Sequence, residues 1–141
     1  MLLIVDKLSV YYGAIQALRK VSFTVPEGEI VSLIGANGAG KSTILRALSG
    51  VVRTEAGSIV HAGKSIAGLP SHRIARLGIA HVPEGRGVFA DMSVRENLEM
   101  GAYTRSSRKE VAESFERVFD LFPRLAERAA QLAGTLSGGE Q

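Results

Sequence analysis

The feature that most constrains the fold is the stretch GANGAGKST, residues 35 to 43. Three glycines within six residues allow tight backbone turns that a β-carbon would hinder. An almost continuous apolar run, residues 30 to 34, precedes the stretch and predicts a strand covered on both faces. Residues 44 to 48 continue at helical spacing. A glycine-rich loop between a buried strand and a helix predicts an α/β fold.

The pattern G-x-x-x-x-G-K-[ST] in this stretch is typical of a loop that binds the phosphates of a nucleoside triphosphate. Inward-pointing backbone amides would hold phosphate oxygens, and the positive end of the following helix adds ~0.3–1 kcal/mol per exposed anion. Lys41 is expected to bridge the β- and γ-phosphates, and Ser42 to reach Mg²⁺. The loop does not by itself distinguish a GTPase switch, a kinase, a helicase or a transport motor. The predicted nucleotide-binding residues are Gly35, Ala36, Asn37, Gly38, Ala39, Gly40, Lys41, Ser42 and Thr43.

Composition narrows the class of protein further. The 141 residues carry a net charge of +3 without a basic block, so a nucleic-acid partner is not expected. The absence of cysteine excludes disulfides, thiol catalysis and cysteine-based zinc sites. No apolar stretch approaches the ~18 residues of a membrane span, and no basic leader is present. We therefore expect a soluble chain that is not exported.

Three further segments have strand patterns. Residues 21 to 25 alternate between apolar and polar side chains, which predicts a half-buried strand in an antiparallel start of the chain, and a turn at residues 26 to 28 ends it. Residues 57 to 61 predict another strand, and residues 79 to 82 a short buried one.

Two helices are predicted in the second half of the chain. Ser93 with Glu96, and Ser107 with Glu110, have the Ser-x-x-Glu spacing of a capping box. An apolar stripe follows the second box, ends at Pro123 and is typical of a packing surface rather than a ligand site. Its members are Val111, Phe115, Val118, Phe119 and Phe122.

The last residues supply a second glycine motif, Leu136-Ser137-Gly138-Gly139-Glu140. A serine cap with two glycines at a possible helix start offers free amides to an anion. Together with the upstream phosphate loop, the motif resembles the signature of the ATP-binding cassette (ABC) ATPases. In that family the signature faces the γ-phosphate held by a second subunit, so that two ATP molecules lie in a head-to-tail dimer. The resemblance implies that these five residues contact the ATP of a partner subunit.

The resemblance covers the whole chain and implies further assignments. Tyr12, before Gly13, is similar to the aromatic residue that stacks on adenine. The segments VPEGRGVFADMSVRENL and LFPRLAERAAQLAGTLSGGEQ resemble the ATP-binding proteins of branched-chain amino acid importers. The sister ATPase of those importers carries a longer insertion between the two motifs. The implied cofactors are ATP and Mg²⁺, and the implied partners are a second ATPase subunit and membrane permease subunits.

Glu84 stands where most members of the family have a glutamine that contacts Mg²⁺ and the surroundings of the attacking water. The branched-chain group resembles this chain in having glutamate there, and a carboxylate is a good Mg²⁺ ligand. A plain turn residue is the alternative. Gly87 departs from the arginine expected in close relatives. His61, His72 and His81 are interpreted as surface or packing residues, since the family's switch histidine follows the signature.

The resemblance implies an α/β P-loop ATPase with an N-terminal antiparallel β subdomain, a P-loop α/β core and a helical subdomain. We expect the β subdomain and P-loop part of the core over residues 1 to 83, the loop of Glu84 and the helical subdomain over 84 to 135, and the signature over 136 to 141. The family's Mg²⁺-organising aspartate, catalytic glutamate and switch histidine all follow the signature. We therefore expect an N-terminal portion of a longer ATPase, with an incomplete core and no turnover by itself.

The expected function of the intact protein is to hydrolyse ATP and power import of branched-chain amino acids, at the cytoplasmic face of the membrane. Urea or short amides remain alternative substrates. A soluble ABC ATPase acting in translation or DNA repair is the alternative from another class, marked by a second cassette or long inserts. The third possible function is that of a nucleotide-binding module without turnover.

Overall fold

The computed structural model describes residues 1–85 and 87–141, which form two compact units, residues 1–81 and 82–141. In the first unit, strand β1 (Leu3–Tyr12) pairs antiparallel with β2 (Ile15–Val25), from Leu3 opposite Val25 to Tyr12 opposite Ile15. The two-residue turn between them contains Gly13 at a φ of 59°. This hairpin confirms the antiparallel start that the alternation of residues 21 to 25 predicts.

Strand β3 (Ala56–His61) pairs antiparallel with the other edge of β1, and the short β4 (Lys64–Ser65) pairs with β3. Within the described residues the sheet has four strands in the order β2-β1-β3-β4. The strand predicted over residues 57 to 61 is thus confirmed and lies beside β1.

Helices α1 (Lys41–Leu48) and α2 (Ser71–Arg76) complete the first unit. Apolar side chains of both helices pack with those of the sheet in one hydrophobic core. That core holds Leu3, Val5, Leu8, Val10, Leu18, Ile44, Ala47, Ile59, Ile66 and Ile74.

The second unit is helical. Helix α3 (Val94–Gly101) begins at Ser93, where Ser93 and Glu96 form the predicted reciprocal capping box. Helix α4 (Arg108–Leu121) begins at Ser107, whose hydroxyl accepts a hydrogen bond from the Glu110 amide. This is one half of the predicted capping box; the return contact from the Glu110 side chain to Ser107 is not formed between these two described residues. The stripe on α4 is half-buried up to Phe119, and Phe122 is mostly exposed. Pro123 both ends α4 and begins α5 (Pro123–Glu127), since proline suits the first turn of a helix.

Two strand predictions are wrong. Among the described residues no strand includes 30 to 34, and Ile30 and Ile34 are 98% and 96% exposed. Residues 79 to 82 also lack strand pairing, and Val82 is exposed. A strand buried on both faces needs neighbours at its edges, and the sheet of the described residues pairs β1 to β4 only with one another.

Candidate functional site

The glycine-rich loop leads into α1 through a left-handed turn. The Ala39 amide donates to the Ala36 carbonyl at 3.1 Å, and Gly38 and Gly40 have φ values of 85° and 94°. Gly40 is the residue before the helix, and its carbonyl accepts the first helical hydrogen bond, from Ile44, at 2.9 Å. The loop itself is exposed, so its backbone is accessible to a ligand.

Gly40 lies against the sheet. A β-carbon there would come within 2.5 Å of Leu18 Cδ2 and 3.1 Å of the Ala17 carbonyl oxygen. Leu18 belongs to the buried core, which limits how far it can shift. Both the close packing and the positive φ favour glycine at this position. The absence of a side chain lets the loop pack directly against β2.

Lys41 spans the loop. Its Nζ donates to the carbonyls of Gly35 at 2.7 Å and Ala36 at 2.8 Å. An ammonium has three donors, so the side chain can keep the loop closed and still donate to a phosphate. Ser42 and Thr43 follow in the first turn, where the amides have no intrahelical acceptor.

This donor set fits the phosphates of a nucleotide. Backbone amides, a lysine ammonium and the positive end of α1 converge on one exposed loop. The structure thus brings together the nine residues predicted over 35 to 43, and their role in binding remains a prediction.

Tyr12 and Glu84 are accessible. Tyr12 ends β1 and is 41% exposed, which leaves its ring available for stacking. Glu84 is exposed beside Gly85, which has a φ of 90°. Each lies in a different compact unit, and the roles predicted for both stay predictions.

The Glu140 side chain stabilises a turn in the signature motif. Its Oε2 atom accepts hydrogen bonds from the Ser137 amide at 3.0 Å and from the Ser137 hydroxyl at 2.7 Å. The Glu140 amide in turn donates to the Ser137 carbonyl at 3.0 Å, so the backbone makes a turn. Gly138 and Gly139 are exposed at the tip of that turn. The hydroxyl of Ser137, followed by its amide, lowers the pKa of the Glu140 carboxyl below 4.5, and Arg128 adds a smaller effect.

The base of the signature motif is anchored in the helical unit. Leu136 is 6% exposed, and the Gln141 side chain donates to the carbonyls of Ala133 and Leu136 at 2.8 and 3.1 Å. The Ala133 amide donates to the Met92 carbonyl at 2.9 Å. These contacts tie the motif to the segment that precedes α3.

Sequence reasoning missed two residues. Asn97 donates to the carbonyls of Phe89 and Ser93 and accepts from the Phe89 amide, which fixes the loop before α3. Arg128 forms an ion pair with Glu140 at 3.3 Å. The position of Asn97, a short polar residue one turn after a capping box, is a weak sequence signal for its contacts with the backbone. No local pattern indicates the ion pair of Arg128 with Glu140, since twelve positions separate the two residues.

The three histidines are placed differently. His81 shares a hydrogen bond of 3.1 Å with the buried Ser49 hydroxyl at the end of α1. His61 lies at the end of β3, and His72 is exposed on α2. The contact of His81 is compatible with the predicted packing role, which stays a prediction.

Within residues 1–85 and 87–141, no helix is both long and apolar enough to cross a membrane. No group of three or more histidine, aspartate or glutamate side chains lies within reach of one metal ion in the same residues.

Comparison with known proteins identifies the class. The family model described as ABC transporter matches residues 18–141. The chain is 54% identical to the high-affinity branched-chain amino acid transport ATP-binding protein BraG of Pseudomonas aeruginosa, over 96% of this chain and 58% of that protein. It is 37% identical to a probable branched-chain amino acid transport ATP-binding protein LivF of Archaeoglobus fulgidus, over 96% and 57%. The chain therefore belongs to the ABC transporter family.

Comparison with solved structures indicates the same family. One described as the ATP-binding subunit of an ABC transporter matches with a TM-score of 0.84 and 32% identity, over 99% of this chain and 57% of that chain. A nucleotide-free ATP-binding cassette matches with a TM-score of 0.77 and 25% identity, over 99% and 60%. These likenesses confirm the predicted fold class, and the relatives confirm the resemblance to branched-chain amino acid transport proteins. The chain spans somewhat more than half the length of the relatives it matches.

Proposed function

We propose that the protein is the ATP-binding and ATP-hydrolysing subunit of an importer for branched-chain amino acids. The observation that carries the proposal is the closed phosphate loop, in which Lys41 holds two loop carbonyls at the start of α1. Two glycines of that loop have conformations that few other residues adopt. The loop is thus preorganised for a polyphosphate.

The proposed roles follow from donor chemistry. The loop amides and Lys41 neutralise charge on the β- and γ-phosphates, and the exposed Tyr12 ring stacks on the base. Mg²⁺, when bound, would screen the phosphate charge, with Ser42 as the side chain of the loop that would hold it. A Mg²⁺ contact of Glu84 is proposed from the family resemblance alone. Ser137, Gly138 and Gly139 present amides to the ATP of a second subunit.

The high identity to BraG favours branched-chain amino acids. Of the relatives named for their transport, BraG and LivF are 54% and 37% identical to the chain, and LivG and BraF are 33% and 32% identical. Proteins named for siderophore transport and lipopolysaccharide export are 32% and 34% identical. LivG of Salmonella typhimurium aligns over 155 positions, more than the 141 of this chain, so LivG carries insertions that are lacking here. That difference supports the subunit type of BraG and LivF.

The proposed partners are a second ATPase subunit, in a head-to-tail dimer, and a pair of membrane permease subunits. The proposed location is the cytoplasmic face of the membrane, because the energy source is cytoplasmic ATP. The exposed glycines of the signature, Gly138 and Gly139, support a partner, since a phosphate held by another subunit can approach their backbone directly.

The test is substitution of Lys41 in the full-length protein, assembled with its permease subunits in vesicles. Lys41→Ala should abolish ATP hydrolysis and leucine uptake together, because loss of the ammonium removes both loop closure and phosphate contact. Lys64→Ala, on the exposed β4, is the control and should leave both activities unchanged. Hydrolysis retained by Lys41→Ala would contradict the proposal.

The substrate is tested in the same vesicles. Excess valine or isoleucine should suppress leucine uptake, and urea or short amides should not. Suppression by urea and not by valine would assign the importer to the alternative substrates.

A further inference from the structure

Three side chains surround the start of the signature turn: Arg128, Ser137 and Glu140, here named the signature latch. One atom, Glu140 Oε2, lies 2.7 Å from the Ser137 hydroxyl, 3.0 Å from the Ser137 amide and 3.3 Å from Arg128 Nη1. The carboxylate therefore takes both of the donors that Ser137 offers.

A hydroxyl has a single hydrogen and an amide has one. Ser137 cannot donate them in full to a carboxylate and to a phosphate at the same time. A negative carboxylate beside these donors also repels an incoming phosphate. The contacts that shape the turn thus oppose the ligand that the proposed function assigns to it.

Arg128 offers the carboxylate another partner. The Arg128 and Glu140 side chains are 33% and 21% exposed, whereas the members of the pairs Arg95–Glu99 and Arg124–Glu127 are all more than half exposed. Water screens a less exposed pair less strongly. Arg128 can therefore hold Glu140 once its bonds to Ser137 break.

We propose that Glu140 is a latch that competes with the γ-phosphate of the partner's ATP for Ser137, and that Arg128 eases its release. The inference rests on the proposed function, because it concerns the ATP that the signature contacts. Arg128 acts through Glu140 and is a positioning residue.

The test measures dimerisation of the full-length protein by analytical ultracentrifugation, with a non-hydrolysable ATP analogue and Mg²⁺. Glu140→Gln keeps a side-chain acceptor for the turn and removes the charge. It should lower the nucleotide concentration that gives half-maximal dimer roughly fivefold. Nucleotide affinity of the monomer should not change, because the latch acts on the partner's ATP.

The chain contains a matched control. Ser93 and Glu96 make the same amide and hydroxyl contacts, both at 2.7 Å, at the start of α3. Glu96→Gln should leave nucleotide-dependent dimerisation unchanged. Equal behaviour of Glu140→Gln and Glu96→Gln would overturn the latch.

Arg128→Gln should change dimerisation in the opposite direction, raising the nucleotide requirement severalfold. In combination with Glu140→Gln it should have no further effect, since the two residues act through one contact. An equal loss from Arg128→Gln in both backgrounds would show direct action of Arg128 on phosphate and overturn its assigned role.

The two proposals fail differently. A wild-type protein that never dimerises with nucleotide, or a Lys41→Ala variant that dimerises normally, contradicts the proposed function and the latch with it. Normal dimerisation of the wild type, lost in Lys41→Ala and unchanged in Glu140→Gln, overturns the latch alone.

Discussion

At the scale of single residues, Gly40 joins the phosphate loop to the core. Its φ of 94° is one that a residue with a β-carbon rarely adopts, and a β-carbon there would meet Leu18 at 2.5 Å. Gly38 has a similar φ of 85°, yet a β-carbon on it would meet nothing within 4 Å. Substituting each glycine in turn therefore distinguishes the cost of backbone strain, which both positions share, from the cost of steric contact, which arises only at Gly40.

Gly40→Ala should lower the free energy of unfolding by about 3 kcal/mol, from a left-handed backbone of ~1–2 kcal/mol and overpacking of ~1–3 kcal/mol. Gly38→Ala carries only the backbone cost and should lose about 1–2 kcal/mol. Urea unfolding of both variants measures the difference. Equal losses would show that Leu18 relaxes without cost.

At the scale of elements, capping determines where the helices of the second unit begin. At the start of α3, Ser93 accepts from the Glu96 amide, and Glu96 accepts from the amide and hydroxyl of Ser93. The hydroxyl of Ser93, followed by its amide, lowers the pKa of Glu96 below its ordinary value of 4.5. Arg95 also stacks over the Phe115 ring at 5.3 Å, which links α3 to α4.

Because the pKa of Glu96 is lower in the folded state, its ionisation stabilises the fold above about pH 4.5 and this contribution is lost as the pH falls through the folded value. The wild type should therefore be more stable than Glu96→Gln at pH 7, with the difference shrinking in acid. Thermal unfolding between pH 7 and pH 3 measures it. Glu99→Gln controls for loss of one charge from α3, and a difference that grows in acid would contradict the assignment.

At the scale of the whole molecule, the apolar stretch over residues 30 to 34 is only partly joined to the core: Leu33 packs against it, and the two ends of the stretch do not. Ile30 and Ile34 are almost fully exposed, whereas Ile59 on β3 is 1% exposed. Exposed apolar groups of this size favour association or the binding of apolar dyes.

For the 141-residue chain, Ile34→Ser should change the free energy of unfolding by less than about 0.5 kcal/mol and reduce binding of the dye ANS. Ile59→Ser should destabilise the same chain by about 3 kcal/mol, through lost burial and a buried hydroxyl. Urea unfolding and dye fluorescence are the measurements. Equal destabilisation by both substitutions would mean that the Ile34 side chain is packed.

The hairpin, the capping box of Ser93 and Glu96 and the helix after the phosphate loop could be predicted because each depends on contacts between residues near in sequence. Residues 21 to 25 alternate, Ser93 and Glu96 are three apart, and the loop runs directly into α1. Residues 30 to 34 and 79 to 82 have strand composition but no strand pairing in the described residues, because pairing depends on distant neighbours.

The sequence by itself determined the class of protein and the identity of its two glycine motifs, since both consist of consecutive residues whose chemistry is local. Only the tertiary structure decided what lies against them. Leu18 touches the site of Gly40 across 22 positions, and Arg128 reaches Glu140 across 12. Such contacts depend on how the chain folds back on itself, and no spacing pattern encodes them.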